Sequence, residues 1–432
     1  MPPSLEYTEM KNSGIEWIGA IPSHWNIRTL YQLVSQVKNK NRDLEEQNLL
    51  SLSYGKIKRK DINSNDGLLP ASFNGYNIVE AGDIVLRLTD LQNDHTSLRV
   101  GLATERGIIT SAYVTLHPSD IAHSKYLYYL LHAFDIKKGF YGMGAGVRQG
   151  LNYGEVKELR IAMPEQEEQD AIVTYLDWQC AQIDSVIGEA KASIEEYKQW
   201  KSSVIYETVT KGINPEAILK DSNIDWVGMI PAHWETKAIK YLASCNDETL
   251  AENTNDDFEF NYIDIGSVQH GKGITQFQSM IFKNAPSRAR RIVYAGDVIL
   301  STVRTYLKAV AIIEPFEKPQ IVSTGFAVLR SNGVVPMFLY YAILSNSFIS
   351  EVEASSVGIS YPAINASQVM TFKIPIPADT IEQQAIANYL DKRCSIIDGI
   401  IAEKELLLME LEAYKQSLIY EVVTGKRKVC TP

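Results

Sequence analysis

The sequence predicts an α+β protein with a pseudo-two-fold internal repeat: two similar mixed α/β domains joined by two long helices that form an antiparallel coiled coil. Three observations predict it. A thirteen-residue string occurs twice, two stretches of over forty residues run without proline, and short β-branched runs broken by Gly, Asn and Pro fill the remainder.

The repeat fixes the frame. SGIEWIGAIPSHW at residues 13–25 returns as SNIDWVGMIPAHW at 222–234, with eight of thirteen positions identical. Ala81-Gly82-Asp83-Ile84-Val85-Leu86 returns as Ala295-Gly296-Asp297-Val298-Ile299-Leu300, and Tyr126-Leu127-Tyr128-Tyr129 as Phe338-Leu339-Tyr340-Tyr341. Residues 169–210 then align without a gap onto 383–424. Runs such as Ile108-Ile109-Thr110 and Val114-Thr115-Leu116, with Ile321-Val322-Ser323 and Ala327-Val328-Leu329 in the second copy, read as strands. Ser124 to Ala133 and Met337 to Ser345 read as one helix per copy.

Long helices are expected after Pro164 and Pro377, where acidic residues follow as helix N-termini favour. Leu176, Cys180, Ile183, Ile187, Ala190, Ile194, Tyr197 and Val204 step by fours and threes. Leu390, Cys394, Ile397, Ile401, Leu408, Leu411 and Leu418 do the same in the second copy, which makes a coiled-coil seam. The expected divisions are residues 1–164 with an anchor segment at 13–25, a central helix at 165–212, a second domain at 213–378 and a C-terminal helix at 379–428. Antiparallel pairing would set the domains at opposite ends of a rod and dock the first anchor beside Thr424 and Gly425.

With 432 residues, 45% apolar and 22% charged, the chain has the composition of folded soluble proteins. The N-terminus lacks a signal-peptide pattern and no run approaches a membrane span, so a cytoplasmic location is expected. Four scattered cysteines without a CxxC pair argue against zinc and disulfides. The net charge of −10 argues on its face against a polyanionic partner, but the helical segments alone contribute −6 and −2.

That leaves near-neutral domains with basic clusters. In the first copy these are Lys56, Lys58, Arg59 and Lys60, with Arg87, Arg99, Arg106, Arg148 and Gln149 elsewhere. In the second they are Gln269, His270, Lys272, Arg288, Arg290, Arg291, Arg304 and Lys308, with Ser360 and Tyr361 on a loop aligned with Arg148 and Gln149. Lys and Arg neutralise phosphates, and Arg, Gln and Ser hydrogen-bond base edges, so such mixtures suit duplex DNA. Arg87 and Arg304 each follow the repeated Ala-Gly-Asp strand, without a secure register between them.

Catalytic patterns are missing. Gly142-Met143-Gly144-Ala145-Gly146 neither follows an apolar strand nor opens a helix, as a nucleotide loop would. Gly425-Lys426 reads as a helix stop, and His24 and His233, each alone beside a tryptophan, read as packing rather than as metal ligands. No HExxH, GxSxG or Asn-Pro-Pro-aromatic string occurs, so no catalytic, cofactor-binding or metal residue is expected.

Taken together, the duplicated GIEWIGAIPSHW and NIDWVGMIPAHW, the AGDIVL and AGDVIL strands, the MPEQEEQ and IPADTIEQQ joints and the VIYETVTKG and LIYEVVTGK helix ends carry a resemblance over nearly the full length. The chain resembles the DNA specificity subunit of Type I restriction-modification systems, although the joints have single prolines where that family usually shows a Pro-Pro-Leu-x-Glu-Gln pattern. The resemblance implies that each mixed domain is a target-recognition domain for one half of a split, asymmetric DNA sequence, and that the coiled coil sets the gap between halves. It also implies two methylation subunits that bind S-adenosylmethionine and two restriction subunits that use ATP and Mg, with no cofactor in this subunit. A stand-alone DNA methyltransferase and a coiled-coil protein scaffold are the alternatives left open.

Overall fold

The computed structural model describes residues 7–63, 70, 72–143 and 150–429. Seven α-helices occur among them: α1 (Ser124–Ile136), α2 (Tyr153–Val156), α3 (Gln166–Lys211), α4 (Pro336–Leu344), α5 (Asn346–Ala354), α6 (Ala366–Val369) and α7 (Thr380–Val423). Among the described residues no helix is long and apolar enough to cross a membrane.

The chain forms two compact units, one drawn from residues up to Ala190 and from Leu406 onward, the other from Lys191–Glu405. Both boundaries fall inside α3 and α7, so each unit owns part of each long helix rather than being joined to it. The apolar spacing of the long helices explains why. Leu176, Cys180, Ile183 and Ile187 of α3 belong to the core of the first unit together with Leu418 of α7. Leu390 and Cys394 of α7 share the core of the second with Ile205 of α3.

Within each unit the helix segments run antiparallel. In the first, Lys415 donates to Asp184 at 2.6 Å, and in the second Lys201 donates to Asp398 at 2.6 Å, a pair at matched positions of the repeat. Each long helix ends at a glycine in the left-handed region, Gly212 at φ +74° and Gly425 at φ +70°, where a side chain would be strained.

The same framework recurs around both helix pairs. In the first unit, strands Val34–Gln36, Val114–Pro118, Ile84–Leu86 and Val100–Leu102 form an antiparallel sheet in that spatial order. In the second, Ala243–Cys245, Phe326–Ser331, Val298–Ser301 and Val310–Ile312 form the same sheet in the same order. Asn26–Thr29 pairs with Arg160–Met163, as Glu235–Ala238 does with Lys373–Ile376. The Ala-Gly-Asp motif is a turn that enters the sheet. Asp83 and Asp297 are buried and accept backbone N–H bonds from Glu80 and Tyr294, at 2.8 and 2.9 Å.

The units differ outside this framework. The second has a further four-stranded sheet, Gln278–Ile281, Glu259–Ile263, Gln320–Ser323 and Ala289–Ile292, with one parallel pairing and a bulge between Ala289 and Arg291. In its place the described residues of the first show the two-stranded pairs Leu50–Ser53 with Lys56–Arg59 and Asn77–Val79 with Gly107–Ile109.

The anchor segments dock where their repeat position predicts. Tyr420 donates to the Trp17 carbonyl at 2.9 Å, and Lys426 to that of Ile18. A Cβ on Gly425 would lie 2.3 Å from Pro22, so only glycine lets the end of α7 approach this segment. In the second unit Tyr206 donates to the Val227 carbonyl at 3.1 Å.

His24 and His233 depart from the packing expected of them. Both are about half exposed and pair with Glu168 and Glu382 in the first turns of α3 and α7, at 2.8 and 2.9 Å. The same carboxylates accept the indole N–H of the fully buried Trp25 and Trp234, at 3.0 Å in each case. Gln169 and Gln383, the next residues, donate to the carbonyls of Pro164 and Pro377. Each His-Trp pair is thus the partner of a Glu-Gln pair at a helix start.

Candidate nucleic-acid interface

Sequence proximity groups the basic residues; the folded chain separates them by what they touch. In the first unit, Tyr54 and Gly55, at φ +48° and +74°, form the tight turn of the Leu50–Ser53/Lys56–Arg59 hairpin. Lys56 leaves this turn toward Asp184 at 3.4 Å, and Arg59 is paired with Glu105. Lys58 and Lys60 are exposed, with no acidic partner among the described residues.

Arg87 is half-buried and 3.4 Å from Asp94. Arg99 is wholly buried and builds the loop that carries Arg87. Its guanidinium donates to the carbonyls of Arg87 at 3.1 Å, Thr89 at 2.8 Å and Asp90 at 3.3 Å, and to the Tyr141 hydroxyl at 2.9 Å. Arg106 is likewise taken up by Glu46 and Glu80. Arg148, Gln149 and most of the glycine-rich string lie outside the described residues.

In the second unit, Gln269 ends the strand Val268–Gln269, and His270 and Lys272 lie in the turn that leads to Gly273–Ile274. This turn leans on the helices: Lys201 donates to the Gly271 carbonyl at 3.0 Å and Lys272 is 3.7 Å from Glu405. His270 bonds the Lys308 carbonyl at 3.2 Å and Asn346 at 3.3 Å, and burial lowers its pKa. Lys308 is 3.3 Å from Glu353. Arg290 lies over the Phe282 ring at 4.9 Å. Arg291 is half-buried, which lowers its pKa, and its Nε has no hydrogen-bond partner among the described residues.

Arg304 and Tyr361 do meet. With Arg288, Val303, Thr324 and Gly325 they line one open cleft, and the Arg304 guanidinium stands 5.0 Å from the Tyr361 ring centroid. Both arginines are exposed and neither has an acidic partner among the described residues. Arg304 is held out by its backbone. It and Lys308 adopt φ +52° and +51°, flanking the turn Thr305–Leu307, while Thr302 is fixed to the Gly325 carbonyl through both N–H and hydroxyl. Two guanidinium groups without acidic partners among the described residues, with a tyrosine ring beside one of them, can bind phosphates and offer a planar donor pair to a base.

The sheet register settles the relation left open between the two arginines. Strand Ile84–Leu86 superposes in sequence on Val298–Leu300, so Arg87 takes the place of Ser301 and not of Arg304. Sequence reasoning misses the carboxylates at the helix starts, Glu168 and Glu382, as partners of the anchor segments, although the duplicated His-Trp and Glu-Gln pairs signal them.

Two copies of one framework thus carry unlike exposed loops. Residues 231–406 match the family described as Type I restriction modification DNA specificity domain. The chain is 25% identical over 450 aligned positions to the putative type I restriction enzyme MjaX specificity subunit of Methanocaldococcus jannaschii, covering 99% of each. It is 24% identical to the MjaVIII specificity subunit of the same organism over 75% of each, and 21% identical to the EcoDI specificity subunit of Escherichia coli over 70% of each. A solved chain described under complex assembly and conformational transition of the type I R-M system shares the fold. Its TM-score is 0.65 at 15% identity, over 93% of this chain and 98% of that one. Over most of its length the chain is thus similar to type I restriction enzyme specificity subunits, and residues 231–406 match their DNA specificity domain.

Proposed function

We propose that this chain reads a bipartite, asymmetric DNA sequence, one half with each unit, and directs adenine methylation and restriction by partner subunits. The observation that carries the reading is the contrast within the repeat. The anchors, the four-stranded sheet and the helix joints coincide between units, whereas the surfaces that carry exposed basic and polar groups differ: Lys58 and Lys60 on a hairpin in one, Arg288, Arg304 and Tyr361 around a cleft in the other. Phosphate contacts position a protein and base contacts specify sequence, so unlike loops on like frames imply unlike half-sites.

The chain acts without chemistry of its own, in the cytoplasm, with two methylation and two restriction subunits. S-adenosylmethionine, ATP and Mg belong to those partners. Lys58, Lys60, Arg288, Arg304, Ser360 and Tyr361 are the residues best placed for DNA. Lys56, Arg59, Arg87, Lys272 and Lys308 are already engaged by carboxylates and would have to exchange them for phosphate.

The test is binding and methyl transfer with purified subunits. The chain with its methylation partner is expected to bind duplex DNA with an affinity that falls steeply as salt rises. Labelled S-adenosylmethionine should label DNA only when the partner is present. Methyl transfer by this chain alone, or binding indifferent to salt, contradicts the proposal.

A further inference from the structure

The loop of residues 355–363 in the second unit leaves apolar side chains where they gain nothing in the free protein. Ile359 is 102% exposed, Val357 82% and Tyr361 65%. Single exposed apolar residues are ordinary. Here three stand at alternate positions of one short loop, beside Arg304 and Arg288.

The stem of the loop is fixed. Val357 and Ala363 exchange two backbone hydrogen bonds of 2.9 and 3.0 Å, and Ala363 also bridges to Val303. The Thr305 hydroxyl donates to Ser356 at 3.0 Å. Gly358 has φ +119°, and a Cβ there would lie 3.1 Å from the Tyr361 carbonyl oxygen, so the tip closes back tightly on itself. A held stem with a bare isoleucine at its tip is built to enter something.

We propose that Ile359 is a wedge that enters a base step of the half-site read by the second unit, while Arg304 and Arg288, which line one cleft with Tyr361 of the same loop, hold nearby phosphates. This rests on the DNA-reading function above and adds how the target is deformed. Isoleucine is among the side chains that proteins insert between bases to unstack and kink a duplex. The charge beside the loop selects the occupant: two guanidinium groups without acidic partners among the described residues suit a polyanion, and the nearby Lys308 is balanced by Glu353. Pyrimidine–purine steps unstack most easily, so the wedged step is TA or CA/TG.

The experiment uses the full chain with its methylation partner and a duplex carrying the sequence identified from methylated adenines in the host genome. 2-Aminopurine is placed in turn at each position of the second unit's half-site. Emission is expected to rise at one step with the native chain and to stay at the free-duplex level with Ile359→Ala. That variant should bind the target roughly ten-fold or more weakly, as loss of a buried isoleucine implies, with an unchanged salt slope because no phosphate contact is lost. Full exposure of Ile359 keeps the fold out of the comparison, and Ile359→Leu should restore both signals.

Tight binding with no emission change at any step, and an indifferent Ile359→Ala, overturns the wedge alone. Lost capture of the methylation partner with unchanged DNA affinity overturns it in favour of a protein contact. No DNA binding by the native complex overturns the function and the wedge together.

Discussion

Arg304 joins backbone and electrostatics in one residue: a left-handed conformation holds it outward, Tyr361 orients its guanidinium, and no carboxylate neutralises it among the described residues. Arg304→Ala is expected to weaken binding to the cognate duplex by about 1–3 kcal/mol. Anisotropy titrations across a salt series measure this, and unchanged affinity on every sequence removes Arg304 from the interface. A second residue pair governs stability. His132 and Asp135 are buried together on α1. Burial, helped by Lys415, lowers the imidazole from 6.5 to about 4. Burial raises the Asp135 carboxyl from 3.8 to about 6, against the Arg99 backbone N–H and the charges of Lys138 and Arg99. The linkage signs oppose each other. The histidine's contribution is complete above pH 6.5 and is lost as pH falls through 4; that of the carboxyl is complete below 3.8 and is lost as pH rises through 6. Asp135→Asn should therefore make stability rise with pH across this window, and His132→Leu should make it fall. Denaturant midpoints at several pH values decide it, and parallel slopes for the two variants contradict it.

At the scale of elements, the start of each long helix is tied to an anchor segment distant in sequence. Glu168 accepts from Trp25, from Tyr7 at 2.6 Å and from His24, and Glu382 repeats the arrangement with Trp234 and His233. Glu168→Ala leaves the buried Trp25 N–H without its acceptor and should destabilise the first unit by about 1–3 kcal/mol. Glu382→Ala should do the same to the second. Urea unfolding of each variant measures the loss, and native midpoints for both contradict it. The elements themselves were legible. Helix starts after Pro164 and Pro377, the seam from Leu176 to Ile194, the strands beside Ala-Gly-Asp and the glycine stops all follow from local pattern. The role of His24 and His233 was not, because their partners lie 144 and 149 residues away and only the fold brings them near.

At the scale of the molecule, duplication was the most legible property, because an ungapped match over the long helices fixes the order of everything between them. Which basic residues remain free for DNA was much less so. Arg99 and Arg106 look like the other arginines in the sequence, yet one is a buried scaffold for a loop and the other is held by Glu46 and Glu80. Pairing depends on distant carboxylates and on burial, which no local string records. The central claim is that each unit reads its own half-site, and it is tested most directly by replacing residues 35–160 with the corresponding segment of a relative of different specificity and sequencing the methylated adenines. One half of the methylated sequence should change to that of the donor while the other half stays as it was. A change in both halves, or in neither, would contradict the account.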